Sequence, residues 1–183
     1  ALRERFGKRV RRSPYPGAAT AIGLAIASDQ AAGYQLQDRF HRHFGVWRES
    51  EAGARVVFDP IFSKGTLLPA SGKSLMVNRR YQPTHNLGHF RFLECSHLDE
   101  SQEPRGDIVA WDQVFFPFDP QLAESKLNEV AVRNWSGAQG VMIEEQYRCD
   151  ARGMIEVVIS NEATGMVRSF AIRQGNLARA TRG

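Results

Sequence analysis

The chain has 183 residues, of which 42% are apolar, 10% aromatic and 24% charged. That composition excludes a disordered, collagenous or coiled-coil protein and leaves room for one domain of sandwich size plus a small appendage. The formal net charge is +4, yet residues 1–12 alone hold six basic groups (Arg3, Arg5, Lys8, Arg9, Arg11, Arg12) against Glu4, and the rest carries 18 basic and 19 acidic side chains. The basic character therefore belongs to one end. Its only aromatic neighbours are Phe6 and Tyr15, so the interleaved basic and aromatic surface that binds nucleic acid is missing, and no nucleic-acid partner is expected.

In chain order, residues 1–7 read as the end of a helix closed by Gly7, and Lys8–Arg12 as a short basic strand. Ser13-Pro14 opens a second helix predicted from about Pro16 to Ala32, with Ala18, Ile22 and Ile26 on one stripe. A lone strand and an Ala-rich helix cannot build a core, so residues 1–33 read as the last piece of a larger α/β domain, and the chain, opening on Ala1, as a fragment. Gly17–Ala27 superficially resembles a signal peptide, but Pro14 and Pro16 separate its basic residues from an apolar run made mostly of Ala and Gly. No run reaches the ~18 apolar residues of a membrane span. A cytoplasmic location and no membrane partner are expected. Residues 34–41 form a linker.

From residue 42 the hydrophobic period shortens to two, and a β-sandwich is predicted over 42–174 with a tail at 175–183. Strands are expected at His43–Glu49, Arg55–Phe62, Ser74–Tyr81, His89–Cys95, Gln113–Phe118, Met142–Cys149, Met154–Ser160 and Met166–Arg173. The last three, joined by turns at Asp150–Gly153 and Asn161–Gly165, form a meander in which Ile155, Val157 and Ile159 face one way. Residues 107–143 read as an insertion, polar and partly helical over 121–140. Asp59-Pro60 and Asp119-Pro120 are turn-forming dipeptides.

The motifs that carry chemistry are sparse. Cys95 and Cys149 are too few for a stapled secreted scaffold; two buried thiols are expected, a single bridge being the alternative. His85, His89, Cys95 and His97 are the one metal-like cluster, but Gly88 interrupts the helical spacing zinc would use, and ordinary loop and strand histidines are the better reading. His41 and His43 are weaker still. No phosphate loop, dinucleotide fingerprint or nucleophile elbow is present, and Asp59, Asp112, Asp119, Glu144 and Glu145 nominate no acid–base pair. The residues give no catalytic assignment.

One resemblance runs through most of the chain. RFGKRV followed by SPYPGAATAIGLAIA is similar to the strand and Ala-rich helix that end the ATPase domain of DnaK-type heat-shock protein 70 chaperones. Phe44–Glu49 (FGVWRE) looks like the opening strand of that family's substrate-binding sandwich. Phe62–Pro69 (FSKGTLLP) resembles its I-x-(K/R)-N-T-x-(I/L)-P stretch, with Gly65 in place of Asn. Asn86–Phe90 matches an LGxF strand start, Pro104–Gly106 a PRG turn, Tyr147–Val157 an F-x-I-D-x-(N/D)-G-I-L-x-V stretch, and Thr164-Gly165 the TG before the last strand.

The resemblance implies a non-enzymatic module of an atypical relative, capturing unfolded or extended polypeptide segments, with Val46 and Met76 lining the peptide pocket. It implies no cofactor in this piece; ATP and magnesium would serve the full-length protein through the missing ATPase domain, itself a partner. Five departures accompany it, one being that residues 107–143 are longer than the matching family loop. Only seventeen residues separate Pro69 from Leu87, room for one strand where the family has two. Glu49 stands where an apolar arch residue is expected, Tyr34–Phe40 lacks the acid-flanked leucines of the family linker, and no helical lid follows the sandwich. The alternative is a sandwich used for docking or assembly that has lost the groove. A metal-dependent enzyme built on His85–His97 is a third.

Overall fold

The structure, a computed structural model, describes residues 2–9, 11, 13–29, 31, 37–50 and 55–175. It divides into two compact units, residues 1–37 and 38–183. In the first, α1 spans Leu2–Phe6 and ends at Gly7, as expected. Lys8 and Arg9, expected in a strand, instead continue as a 3-10 turn, Gly7–Arg9. A strand without a partner leaves its backbone groups unpaired, whereas a turn satisfies them locally. Helix α2 spans Ala19–Ser28, shorter at both ends than predicted. Pro16–Ala18 is spent on a turn, with the Ala18 amide donating to the Tyr15 carbonyl. At the other end the Ser28 hydroxyl donates to the Ala25 carbonyl and Asp29 accepts from the Ala31 amide, so short polar side chains compete with helical pairing. No residue of α2 is buried.

The second unit is a sandwich of two antiparallel four-stranded sheets. Its strands are β1 (His43–Ser50), β2 (Arg55–Phe62), β3 (Ser74–Tyr81), β4 (Leu87–Leu98), β5 (Pro104–Pro117), β6 (Ile143–Asp150), β7 (Ile155–Asn161) and β8 (Met166–Ile172). One sheet has the order β2-β1-β4-β5 and the other β3-β6-β7-β8. The last three strands are the predicted meander, with Val157 opposite Tyr147 and Phe170. Its two turns place Gly153 and Gly165 at φ +77° and +71°, a conformation other residues adopt at a cost. Period-two alternation sends Ile155, Val157 and Ile159 inward, each at most 2% exposed. They meet Phe44, Val46, Phe90, Phe92 and Phe116 of the other sheet in the main core. Phe44 anchors it, stacking on Phe62 and Phe92 and meeting Trp111 edge-on.

Two expectations change. The insertion read at 107–143 begins later, because residues 107–117 complete β5, which pairs with β4 along its length through two register shifts. Only the following stretch crosses the end of the sandwich, in 3-10 turns at Pro120–Leu122, Leu127–Glu129 and Ser136–Ala138. Asn86 pins it: its side chain accepts from the Arg133 amide and donates to the Ala131 carbonyl, while its own carbonyl accepts from the amides of Phe118 and Asp119. Asp119-Pro120 does start a turn, the Asp119 carboxylate accepting from the Gln121 amide. Asp59-Pro60 lies within β2, where a residue lacking an N–H is tolerated because β2 is an edge strand.

The linker is the second change. Asp38–Phe40 is bonded to Gly65–Leu68: the Phe40 amide donates to the Thr66 carbonyl, and the Leu68 amide to the Asp38 carbonyl. Phe40 is buried and stacks on Phe62 at 5.1 Å.

The sandwich's two flanks differ. On one, β5 is stitched to the residues after β8: Asp112 donates its amide to the Arg173 carbonyl and its carboxylate accepts the Arg173 amide. On the other, β2 pairs only with β1 and β3 only with β6. There, β2 and β3 are joined by side chains.

Candidate binding cleft

Val46 and Met76, the two expected pocket residues, are not brought together. Val46 is fully buried in the core, and Met76, 51% exposed, lies on the outer face of the other sheet. The register explains the separation: Met76 sits opposite Arg148, in the outward phase of β3, while Val46 shares the inward phase of β1 with Phe44. The side chain of Glu49 lies outside the described residues.

What the fold builds instead is a group of charged side chains on inward phases. Arg48 follows Phe44 and Val46 at intervals of two, Glu145 stands between Ile143 and Tyr147, and Arg79 between Val77 and Tyr81. Asp59 faces Val46 across the β1–β2 pair, and Glu145 faces Arg79 across the β3–β6 pair. Arg48 spans the sheets, giving Glu145 two parallel hydrogen bonds of 2.8 and 2.6 Å and Asp59 a third from Nε at 2.6 Å. Arg79 grips both Asp59 oxygens at 2.9 Å. The Tyr147 hydroxyl donates to Glu145, and the Arg48 guanidinium lies 5.7 Å from the centre of the Tyr81 ring. Glu145 is wholly buried. A network of this kind adds little net stability, because desolvation offsets attraction, but leaving one member unpaired costs about 3–5 kcal/mol.

The protonation states follow. Burial alone would raise the Asp59 carboxyl, but hydrogen bonds from Arg79 and Arg48, with the charge of Arg48, outweigh it and hold the group below the usual carboxylate range. Burial likewise works against the Arg48 cation, and Glu145 more than reverses it, so its pKa rises. The hydroxyls of Tyr81 and Tyr147 are pushed well up, first by burial and then by the negative Glu145, and stay protonated as donors.

This network floors a cleft of about 500 Å³ at the β2–β3 flank. Trp47, Val56, Tyr81, Leu87, Phe90 and Phe118 supply its apolar walls, and Arg48, Asp59, Arg79, Arg80 and Arg91 its charged ones. Trp47 is set by an edge-on contact with Phe58 at 5.7 Å. With apolar walls, arginine donors and unpaired strand edges beside it, the cleft can take an extended chain, holding side chains on its walls and main chain at the edges. The charged members were legible only as a phase anomaly: ionic residues falling on the inward beat of strands whose other inward residues are apolar.

The metal-like cluster does not assemble. Among the described residues no group of three His, Cys, Asp or Glu side chains could hold a metal ion. His89 stacks on Phe115 at 4.4 Å and bonds Gln113 at 2.7 Å, His97 bonds Ser96, and Cys95 is buried. Cys95 and Cys149 are both free thiols; burial raises both, Cys149 to about 11, so neither is a ready thiolate. Among the described residues no helix is long and apolar enough to cross a membrane. No family model and no curated protein matches the chain.

Proposed function

We propose that the chain is a non-enzymatic module that binds extended apolar polypeptide segments, from an atypical relative of the heat-shock protein 70 chaperones, and that the cleft beside Trp47 and Tyr81 is its binding site. In this reading residues 1–33 are the end of an ATPase domain, and ATP and magnesium belong to the full-length protein. The observation that carries it is the cleft's position: about 500 Å³ with apolar walls, beside two strands, β2 and β3, that each have a single pairing partner. An added segment would find main-chain donors and acceptors there, and Trp47 and Val56 to cover its side chains. One further feature favours the family, the pair of antiparallel sheets; β3 alone occupies the interval between Pro69 and Leu87, where the family has two strands. A second reading, a docking or assembly domain that has lost its groove, is favoured by the burial of Val46.

Fluorescent extended apolar peptides should bind the chain with micromolar affinity, followed by anisotropy. Val56, 49% exposed on the cleft wall, gives the site-specific variant: Val56→Asp should weaken binding roughly tenfold by removing apolar contact and adding a charge that needs solvation. Failure of every peptide in a broad array to bind, with circular dichroism showing a folded sandwich, would overturn the reading and favour the docking domain.

A further inference from the structure

The donors and acceptors of the cleft are unevenly committed. Among the described residues its single lining carboxylate, Asp59, already accepts hydrogen bonds at both oxygens. Arg48 is taken up by Glu145 and Asp59, Arg79 by Asp59, and Arg80 by Glu162 at 2.6 Å. Arg91 is different. It is exposed, and among the described residues it has no hydrogen-bond or ion-pair partner. It stands directly across the β1–β4 pair from Trp47, so the two side chains emerge side by side on the outer face of their sheet. Among the described residues of the cleft, then, a cation without a partner adjoins the aromatic wall, and the lining carboxylate Asp59 has no uncommitted oxygen to oppose it.

We infer that the segment bound in this cleft carries a carboxylate, an aspartate or glutamate two residues from the apolar side chain that packs on Trp47. Residues two apart in an extended chain share a face about 7 Å apart, and the Cβ atoms of the directly opposed Trp47 and Arg91 are about 5 Å apart, a difference the long arginine side chain can span. The guanidinium fork of Arg91 suits a carboxylate, whose planar pair of oxygens it can meet with two N–H groups. A lysine at the same place meets Arg91 with like charge. The inference rests on the reading of the cleft as a peptide site.

The test uses the full chain and three labelled peptides identical except for Leu-x-Asp, Leu-x-Asn or Leu-x-Lys at the centre. The expected order of affinity is Asp, then Asn, then Lys, roughly fivefold per step at low salt, with the spread closing towards 0.5 M salt. Arg91→Glu should reverse the order. Lys73→Glu, an equal change of charge on an exposed residue before the other end of β3, should leave the wild-type order in place. Equal affinity for the three peptides, or an unchanged order in Arg91→Glu, overturns the inference while leaving the peptide-binding function standing. No binding of any of them by the folded chain overturns both.

Discussion

Asp59 shows how a single residue is set by its surroundings. Two arginines hold its folded-state pKa below the ordinary 3.8. The sign follows: a depressed carboxyl contributes stability that is fully present above that unfolded value and is lost as pH falls through the lower folded one. Denaturant midpoints measured for the wild type should therefore drop steeply below about pH 4. Asp59→Asn should lose about 1–3 kcal/mol at neutral pH, from weaker hydrogen bonds to Arg79 and Arg48, and should show a shallower acid slope. An acid slope identical to the wild type's would mean that Asp59 does not carry the linkage. The sequence marks Asp59 as half of a turn dipeptide and as a carboxylate with no partner at a recognisable spacing. That Arg79, twenty residues on, closes on it comes from the approach of two different sheets.

At the scale of elements, pattern was a good guide wherever one face is buried and the other wet. Arg55–Phe62 and Ser74–Tyr81 carry their predicted ends, and the meander forms as read. Pattern fell short where a strand outruns its alternation. β4 and β5 extend through Leu98 and from Pro104, paired across bulges whose extra residues break the period that pattern reading needs. The same kind of irregularity lies between Phe44 and Gly45, opposite Pro60. A Cβ on Gly45 would stand 2.3 Å from the Asp59 carbonyl oxygen and 2.5 Å from the Phe58 ring. Gly45→Ala should thus destabilise the fold by about 1–3 kcal/mol in thermal or urea unfolding, with a larger loss if the β1–β2 pair separates. An unchanged midpoint would show that the strands can part there freely.

For the whole molecule, the core is continuous within the second unit. Every buried residue of the main cluster lies between Phe40 and Ile172, and Asp38–Phe40 is bonded to Gly65–Leu68. A chain beginning at Asp38 should therefore fold and unfold in one cooperative transition, with fluorescence and far-ultraviolet dichroism superimposing. Separate transitions for the two sheets would contradict the continuous core. The sequence by itself determined the mainly β class, most strand positions, the meander and its turns, because these depend on local alternation and on glycines at turns. Tertiary structure alone decided that Val46 is sealed inside while Met76 faces outward on the other sheet, and that Arg48 crosses between sheets to Glu145, ninety-seven positions away. It also decided that Trp47 and Arg91 share one face. The cleft's positive charge comes from arginines that are only placed together when strands distant in sequence pack flank to flank.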